Sequence, residues 1–419
     1  MGRNPLHNFQ PAKEGSVRRI LFVDDEPNVL EGLRRMLRPM RHEWDMEFTG
    51  GGQQALDLLA QRPFDVVVSD MRMPGMDGAE LLSRTQKQFP RTVRIVLSGH
   101  SDREMILRSL GATHQYLAKP CDAEILKNTV TRACALRDLL ADETLKSLIA
   151  RMETLPSLPS LYIQVVQELE SEDASIHKIG EIISKDVGMT AKILQLVNSA
   201  FFGLRRHISS PAQAVSMLGI ETVKALVLSV QVFARFDQSK VTGFSIESLL
   251  RHSTTCGLCS RMIAAQEVSD KKIVDDALMA GMLHDAGKVV LAANVPESLS
   301  QAYVIAGKKK IARHEAEYEV LGTTHAEVGA YLLGLWGLPD PIVEALAFHH
   351  SPSRCLSQVF GPLTAVHVAN VLEYEETPPP DGIIAPSFDD QYLRELALVD
   401  RIPVWRKSRQ EACQKGKLE

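Results

Sequence analysis

The first third of the chain alternates short apolar runs with amphipathic stretches, and this alternation restricts the fold more than any other feature. Short strands that alternate with helices form a parallel sheet with helices on both faces. The pattern therefore predicts an α/β fold with a doubly wound, five-stranded parallel sheet. The apolar runs are residues 20–23, 44–48, 66–68, 95–97 and 116–117.

The remainder of the chain has a helical pattern. Residues 122–152 contain neither Gly nor Pro and carry leucines near helical spacing, which predicts one long helix that closes the first domain and continues as a linker. This helix could also form the seam of a homodimer, although its apolar register is irregular. Beyond residue 155 the pattern predicts an all-α domain. The proline-rich residues 377–382 predict a stiff linker before a short last helix and a frayed basic tail.

Length and pattern together predict the domain boundaries. At roughly 150 residues per domain, 419 residues correspond to two or three domains. The expected division is an α/β domain, a helical linker, an all-α domain with a helical extension to about residue 375, and a linker with a tail. These parts span residues 17–137, 138–152, 153–350 and 376–419.

Composition excludes several classes of protein. Lys and Arg number 47 and Asp and Glu number 52, a net charge of −5 that argues against DNA as a partner. No apolar run reaches the roughly 18 residues of a membrane span, and residues 1–17 lack the apolar core of a secretory signal. Six cysteines are too few for a disulfide framework. We therefore expect a cytoplasmic protein.

Polar side chains follow the predicted strands where each strand ends. Asp24 and Asp25 follow the first strand, Asp70 the third, Ser98 the fourth and Lys119 the fifth. Ligands of an open parallel sheet bind beyond the carboxyl ends of its strands. Three converging carboxylates need a hard cation, and Mg²⁺ prefers such oxygen ligands. Together with a lysine, the site predicts phosphoryl transfer onto a carboxylate.

This arrangement resembles the receiver domain of two-component response regulators, which has a flavodoxin-like fold. The motifs that carry the resemblance are residues 23–27, 70–78, 98–99 and 116–120. The resemblance implies that Asp70 accepts the phosphoryl group, that Asp24, Asp25 and Asp70 hold Mg²⁺, and that Lys119 pairs with the phosphoryl group. Ser98 and Tyr116 would form the switch pair. The implied donor is a sensor histidine kinase or a small phosphodonor.

The helical region contains histidines next to a carboxylate. Imidazole and carboxylate groups are good ligands of divalent metals, so one interpretation is a metal-dependent phosphohydrolase. The other interpretation is that these histidines are ordinary core or surface groups. The candidate residues are His252, His284, Asp285, His325, His349, His350 and Asn370.

Residues 153–350 resemble the HDOD branch of the HD superfamily. The motifs are residues 155–159, 186–191, 197–203, 214–219, 281–288, 325–329 and 336–339. HDOD domains look like signalling output modules. In the related HD-GYP family, which hydrolyses cyclic di-GMP, the metal ligands would fall on His252, His284, Asp285, His325, His349 and His350.

Two departures from the HD-GYP pattern bear on catalysis. The Gly-Tyr-Pro signature is absent after His350, and Asn370 stands where a closing aspartate is expected. A neutral amide offsets none of a cation's charge, so these departures predict a weakened or vestigial site for Mn²⁺, Fe²⁺ or another divalent ion. Two hypotheses follow. The HDOD domain is a non-catalytic module that binds a protein partner or a nucleotide second messenger, or it is a phosphorylation-gated phosphodiesterase acting on a cyclic dinucleotide or nucleotide.

Cys256 and Cys259 form a C-x-x-C pair within the helical pattern. The pair has no second pair nearby and no βαβ context, so we predict two buried helical thiols rather than a redox or zinc site.

Overall fold

The structure is a computed structural model of the chain. It describes residues 17–99, 109, 112–140, 142–150, 152, 156–157, 159–171, 174–198, 208–220, 223, 234–235, 241, 243–355, 359–379 and 383–414. The predicted motifs at residues 155–159 and 197–203 lie partly outside these residues. Residues 1–16, for which no secretory signal was predicted, lie entirely outside them.

The first unit is the predicted five-stranded parallel sheet. Its strands are β1 (Arg18–Val23), β2 (Trp44–Thr49), β3 (Val66–Asp70), β4 (Val93–Ser98) and β5 (Gln115–Ala118), in the order β2-β1-β3-β4-β5. β3 and β4 are buried along their whole length because helices cover both faces of the sheet. The described helices of this unit are α1 (Pro27–Met36), α2 (Gly52–Gln61), α3 (Gly78–Gln88) and α4 (Ala123–Arg137).

Strand register brings the carboxyl ends of the central strands to one edge. Val23 pairs with Ser69, Asp70 with Leu97, and Ser98 with Ala118. The residues at or directly after these ends therefore share one side of the sheet.

The second unit is helical. Its one described sheet joins two-residue strands, β6 (Pro156–Ser157) and β7 (Ala234–Arg235), which the sequence pattern did not predict. Its described helices are α5 (Glu143–Ile149), α6 (Pro159–Glu170), α7 (Ile176–Ser184), α8 (Val187–Val197), α9 (Pro211–Leu218), α10 (Ile246–Glu267), α11 (Lys271–Leu283), α12 (Ala286–Asn294), α13 (Pro296–Lys309), α14 (Arg313–Leu321), α15 (His325–Leu335), α16 (Asp340–Phe348), α17 (Pro362–Glu376), α18 (Asp390–Glu395) and α19 (Ile402–Gln414).

The prediction of one continuous helix over residues 122–152 is wrong. α4 ends at Arg137, and α5 begins only at Glu143, where the side chain of Asp142 accepts a hydrogen bond from the Leu145 amide. An N-cap of this kind starts a new helix. The homodimer seam predicted along this helix therefore has no continuous helix to form it.

The prediction of a frayed tail is also wrong. The last helix, α19, packs back onto the helical unit, and Trp405 is completely buried. Glu267 on α10 accepts hydrogen bonds from the Trp405 indole and from Arg401. Arg409 forms an ion pair with Glu373 on α17. Buried aromatic surface and ion pairs therefore hold α19 against the helical unit, although its composition predicted only a linker and a tail.

The two units touch through β5 and α4 on one side and the α15–α16 hairpin on the other. Arg132 lies 3.0 Å from a carboxylate oxygen of Asp340 and also donates to the Leu338 carbonyl. A Cβ on Gly334 would lie 2.6 Å from the Leu136 side chain, so the glycine permits this close approach.

None of the helices in the described part of the chain has the length and apolar character needed to cross a membrane.

Candidate functional sites

The first site lies at the carboxyl edge of the sheet and centres on Lys119. Its ammonium is 2.7 Å from Asp24 Oδ2 and also forms an ion pair with Asp70. Both acids are buried, at 1% and 8% exposure. Backbone amides orient them, because Glu26 donates to Asp24 Oδ1 and Arg72 donates to Asp70 Oδ2.

Protonation at this site is set by burial and by the ion pairs. Burial raises the pKa of Asp70, and the contact with Lys119 opposes part of that shift. Burial alone would lower the pKa of Lys119, but hydrogen bonds to Asp24 and Asp70 raise it above its usual value. Lys119 therefore remains a cation between the two acids.

The other predicted residues of this site lie around the same edge. Asp25 follows Asp24 and is partly exposed, while Ser98 ends β4 and is buried. The Tyr116 side chain already lies inside the protein, with its hydroxyl 3.1 Å from Ser109 Oγ. Burial raises the pKa of that hydroxyl to about 12.

Lys119 pairs with Asp24 and Asp70, and Asp25 adds a third carboxylate at this edge, so the donor set keeps an excess of negative charge. The donors are all oxygens, and one acid, Asp25, remains open to water. Mg²⁺ prefers such a set and retains several waters of its own. Asp24, Asp25 and Asp70 therefore fit Mg²⁺.

The second site is a cluster of imidazoles around Asp285, which we call the His–Asp cluster. Asp285 lies at the corner between α11 and α12 and is 1% exposed. The structure brings five predicted histidines together at this carboxylate. The Nε2 atoms of His252, His284, His325 and His349 lie 3.7, 3.5, 3.1 and 4.0 Å from its oxygens, and His350 Nε2 lies 3.1 Å from His325 Nε2.

Backbone carbonyls fix the direction of two imidazoles in the cluster. His284 Nδ1 lies 2.7 Å from the Gly281 carbonyl, and His349 Nδ1 lies 2.8 Å from the Leu346 carbonyl. A carbonyl only accepts, so Nδ1 carries the proton and Nε2 keeps a lone pair. Both Nε2 atoms are buried and lack a hydrogen-bond partner among the described residues. Burial lowers the pKa of both rings, so they stay neutral.

Glu317 is a member of the cluster that the sequence did not reveal. Its Oε2 accepts hydrogen bonds from His325 Nδ1 at 2.6 Å and from the His325 amide at 2.8 Å. Carboxylates that hold a histidine in this way orient metal ligands. Burial alone would lower the pKa of His325, but Glu317 outweighs it and the pKa is raised. Glu317 lies on α14, eight residues before His325, and no sequence motif marks it.

Lys288 completes the charge balance of the cluster. Its ammonium lies 2.6 Å from Asp285 Oδ2. Burial alone would raise the pKa of Asp285, but the Lys288 ammonium and the hydrogen bond to His325 outweigh it and hold that pKa well below its usual range. Asp285 is therefore an anion in the interior of the domain.

Asn370 lies on α17, where its side-chain Oδ1 is buried and unpaired within the described part of the chain. The lone pairs of His284 and His349, which lie within 4.8 Å of each other and of the ionised Asp285, form the donor chemistry that a divalent cation satisfies. The predicted cluster residues therefore fit a metal ion.

Two known protein families match the chain, one in each unit. Residues 20–131 match the response regulator receiver domain, and residues 155–352 match the HDOD domain. The chain is a response regulator with a receiver domain and an HDOD domain. The predicted family and fold class are thereby confirmed.

Similar proteins match parts of this receiver–HDOD chain. An uncharacterized protein of Treponema pallidum is 28% identical over 247 residues, which are 58% of this chain and 47% of that protein. The hydrogenase transcriptional regulatory protein HoxA of Cupriavidus necator is 34% identical over 125 residues, 29% of this chain and 25% of its own. The chain spans less than half the length of these curated relatives.

Among solved structures, the signal receiver domain of an HD domain-containing protein from Pseudomonas fluorescens is 34% identical. The match covers 29% of this chain and 98% of that chain, with a TM-score of 0.28.

A cavity of about 290 Å³ opens beside the His–Asp cluster of the HDOD domain. Lys288 and Arg251 line it, and Arg313 lies over the ring of Tyr303 at 4.6 Å. The Tyr303 hydroxyl and Arg313 Nε are buried and have no hydrogen-bond partner in the described residues. The cavity therefore offers cationic and donor groups next to the cluster.

Proposed function

We propose that this protein is a phosphorylation-controlled response regulator in which Asp70 accepts a phosphoryl group and the HDOD domain delivers the output. The observation that carries the proposal is the contact of Lys119 with both Asp24 and Asp70 at the carboxyl edge of the sheet. The donor is the phosphohistidine of a sensor kinase or a small phosphodonor such as acetyl phosphate.

The geometry supports attack by the Asp70 carboxylate on phosphorus. As the new O–P bond forms, the P–N or P–O bond of the donor breaks and the leaving group keeps the electron pair. Lys119 compensates the charge on the phosphoryl oxygens, and Asp24 holds Lys119 in place. Mg²⁺, when bound by the three acids, neutralises further charge during the transfer.

The route from the receiver to the output runs through the α15–α16 hairpin. α15 begins at His325 of the cluster and ends beside Leu136 of the receiver. α16 begins at Asp340, which pairs with Arg132, and is followed by His349. Each helix thus has one end on the receiver and the other at the cluster. In this proposal the hairpin, rather than one continuous linker helix, connects the receiver to the output.

We further propose that the HDOD output is non-catalytic and binds a protein partner or a nucleotide. Asn370 supports this proposal because an amide adds no charge to the cluster. The competing candidate is a phosphorylation-gated phosphodiesterase. The cavity beside the cluster favours that candidate, since Lys288 and Arg251 on its wall suit a phosphate ester.

Labelling with radioactive acetyl phosphate tests the receiver proposal. The wild-type chain should retain acid-labile label, and Asp70→Asn should retain none while its circular dichroism is unchanged. Label that persists in the variant would overturn the assignment of Asp70.

Hydrolysis assays on cyclic dinucleotides with added Mn²⁺ or Fe²⁺ separate the two outputs. Turnover that is lost in His284→Ala would establish that the HDOD domain is a phosphodiesterase. Metal-loaded protein that is inert towards nucleotides would favour the non-catalytic module.

A further inference from the structure

Two glycines bring α10 and α11 together beside the His–Asp cluster. A Cβ on Gly257 would lie 2.6 Å from Met282 Cγ, and one on Gly281 would lie 2.7 Å from Gly257 Cα. The backbones can approach this closely because neither residue has a side chain. Cys256 precedes the first glycine, and His284 follows the second by three residues, so their donor atoms lie within 4.8 Å of each other.

Donor atoms of Cys256, His252 and His284 lie within 4.8 Å of one another, and both imidazoles also approach Asp285 Oδ2. Cys256 Sγ is 3.6 Å from His252 Nε2, one helical turn earlier on α10. His252 Nε2 and His284 Nε2 are 3.7 and 3.5 Å from Asp285 Oδ2. A tetrahedral zinc ion with usual bond lengths separates sulfur from nitrogen by roughly 3.6 Å and nitrogen from oxygen by roughly 3.4 Å. The measured separations are close to these values.

We propose that Cys256 is a metal ligand that supplies, as a thiolate, the negative charge that Asn370 does not. With Asp285 it gives the site two anionic ligands for a divalent cation. The unpaired, fully buried lone pair of His284 points to a ligand at the same place.

The ligand set selects a thiophilic ion. Sulfur with two imidazoles and one carboxylate suits Zn²⁺, whereas Mn²⁺ and Mg²⁺ prefer oxygen. Four protein ligands also close the coordination sphere, which is the pattern of structural rather than catalytic zinc. Lys288 occupies one lone pair of Asp285 Oδ2 and leaves another for the metal. On binding, the S–H bond of Cys256 breaks as the S–metal bond forms, and the proton leaves to solvent.

The inference goes beyond the proposed function and holds whether or not Asp70 is phosphorylated. It revises the prediction that Cys256 and Cys259 are both plain buried thiols. The competing explanation is that Cys256 only makes a thiol–imidazole hydrogen bond to His252.

Cobalt substitution in the full-length chain distinguishes these explanations. Chelator-treated wild-type protein titrated with Co²⁺ should develop a near-ultraviolet sulfur-to-cobalt charge-transfer band and the strong visible bands of tetrahedral cobalt. Cys256→Ser should lose the charge-transfer band and bind Zn²⁺ at least about 100-fold more weakly. Cys259→Ser, one turn further along α10 and equally buried, is the matched control and should behave as wild type.

Two further measurements keep the proposal testable if Cys256→Ser folds poorly. X-ray absorption of zinc-loaded wild-type protein should show one sulfur neighbour at about 2.3 Å. Asn370→Asp added to Cys256→Ser should restore Zn²⁺ affinity without restoring the cobalt–sulfur band. Zinc bound with nitrogen and oxygen neighbours only, a Cys256→Ser spectrum equal to wild type, or folded wild-type protein that binds no Co²⁺ would each overturn the proposal.

Discussion

Removal of the Arg132 guanidinium should loosen the contact between the receiver and HDOD domains. Arg132 lies 3.0 Å from Asp340, and the two side chains are 13% and 21% exposed. Loss of one member of a buried ion pair costs about 3–5 kcal/mol because the other charge is left without compensation. Since water reaches part of Asp340, we expect the lower end of that range, about 3 kcal/mol.

Native-state hydrogen exchange of Arg132→Met measures this effect. Amides of α4 and α16 report the free energy of local opening, so two-state unfolding of the whole chain is not required. Both helices should lose protection together, since the pair joins them. Arg84→Met is the matched control because Arg84 and Glu80 are 46% and 45% exposed, and its effect should stay within about 0.5 kcal/mol. Unchanged protection, or a loss confined to α4, would show that the Arg132–Asp340 pair does not join the two domains.

Further predictions concern other parts of the chain. Trp405→Ala should destabilise the HDOD unit by about 3–5 kcal/mol in thermal unfolding, and an unchanged melting temperature would mean that α19 is dispensable. Glu317→Gln should lower the pKa of His325, because the carboxylate that raises it is lost, and an unaltered imidazole titration in NMR spectra would deny its positioning role. Burial holds the pKa of His114 well below 6.5, so the unfolded chain binds the proton first. His114 should therefore contribute a loss of stability as pH drops below 6.5, of up to about 1.4 kcal/mol per pH unit, and His114→Gln should reduce the measured slope by that share.

Much of the fold follows from local sequence pattern. The five strands and their order along the chain were predictable because each apolar run is short and flanked by helical segments. The acids of the receiver site were predictable because they follow strand ends, and parallel strands end at one edge.

The remaining features depend on packing between distant segments. Asp142 caps a new helix inside a stretch without Gly or Pro, so no helix-breaking residue in the sequence marks the end of α4. Trp405 is buried only because Glu267 and α17 lie beneath it in three dimensions. Glu317 and Cys256 join the His–Asp cluster through helix contacts that spacing along the chain does not encode.

We expect phosphorylation of Asp70 to act on the HDOD domain through the α15–α16 hairpin. The most direct test of this coupling is hydrogen exchange over residues 325–349 before and after treatment with acetyl phosphate, in wild-type protein and Asp70→Asn. Protection should change along both helices in wild-type protein and stay constant in the variant. Identical protection of phosphorylated and unphosphorylated wild-type protein would contradict the coupling.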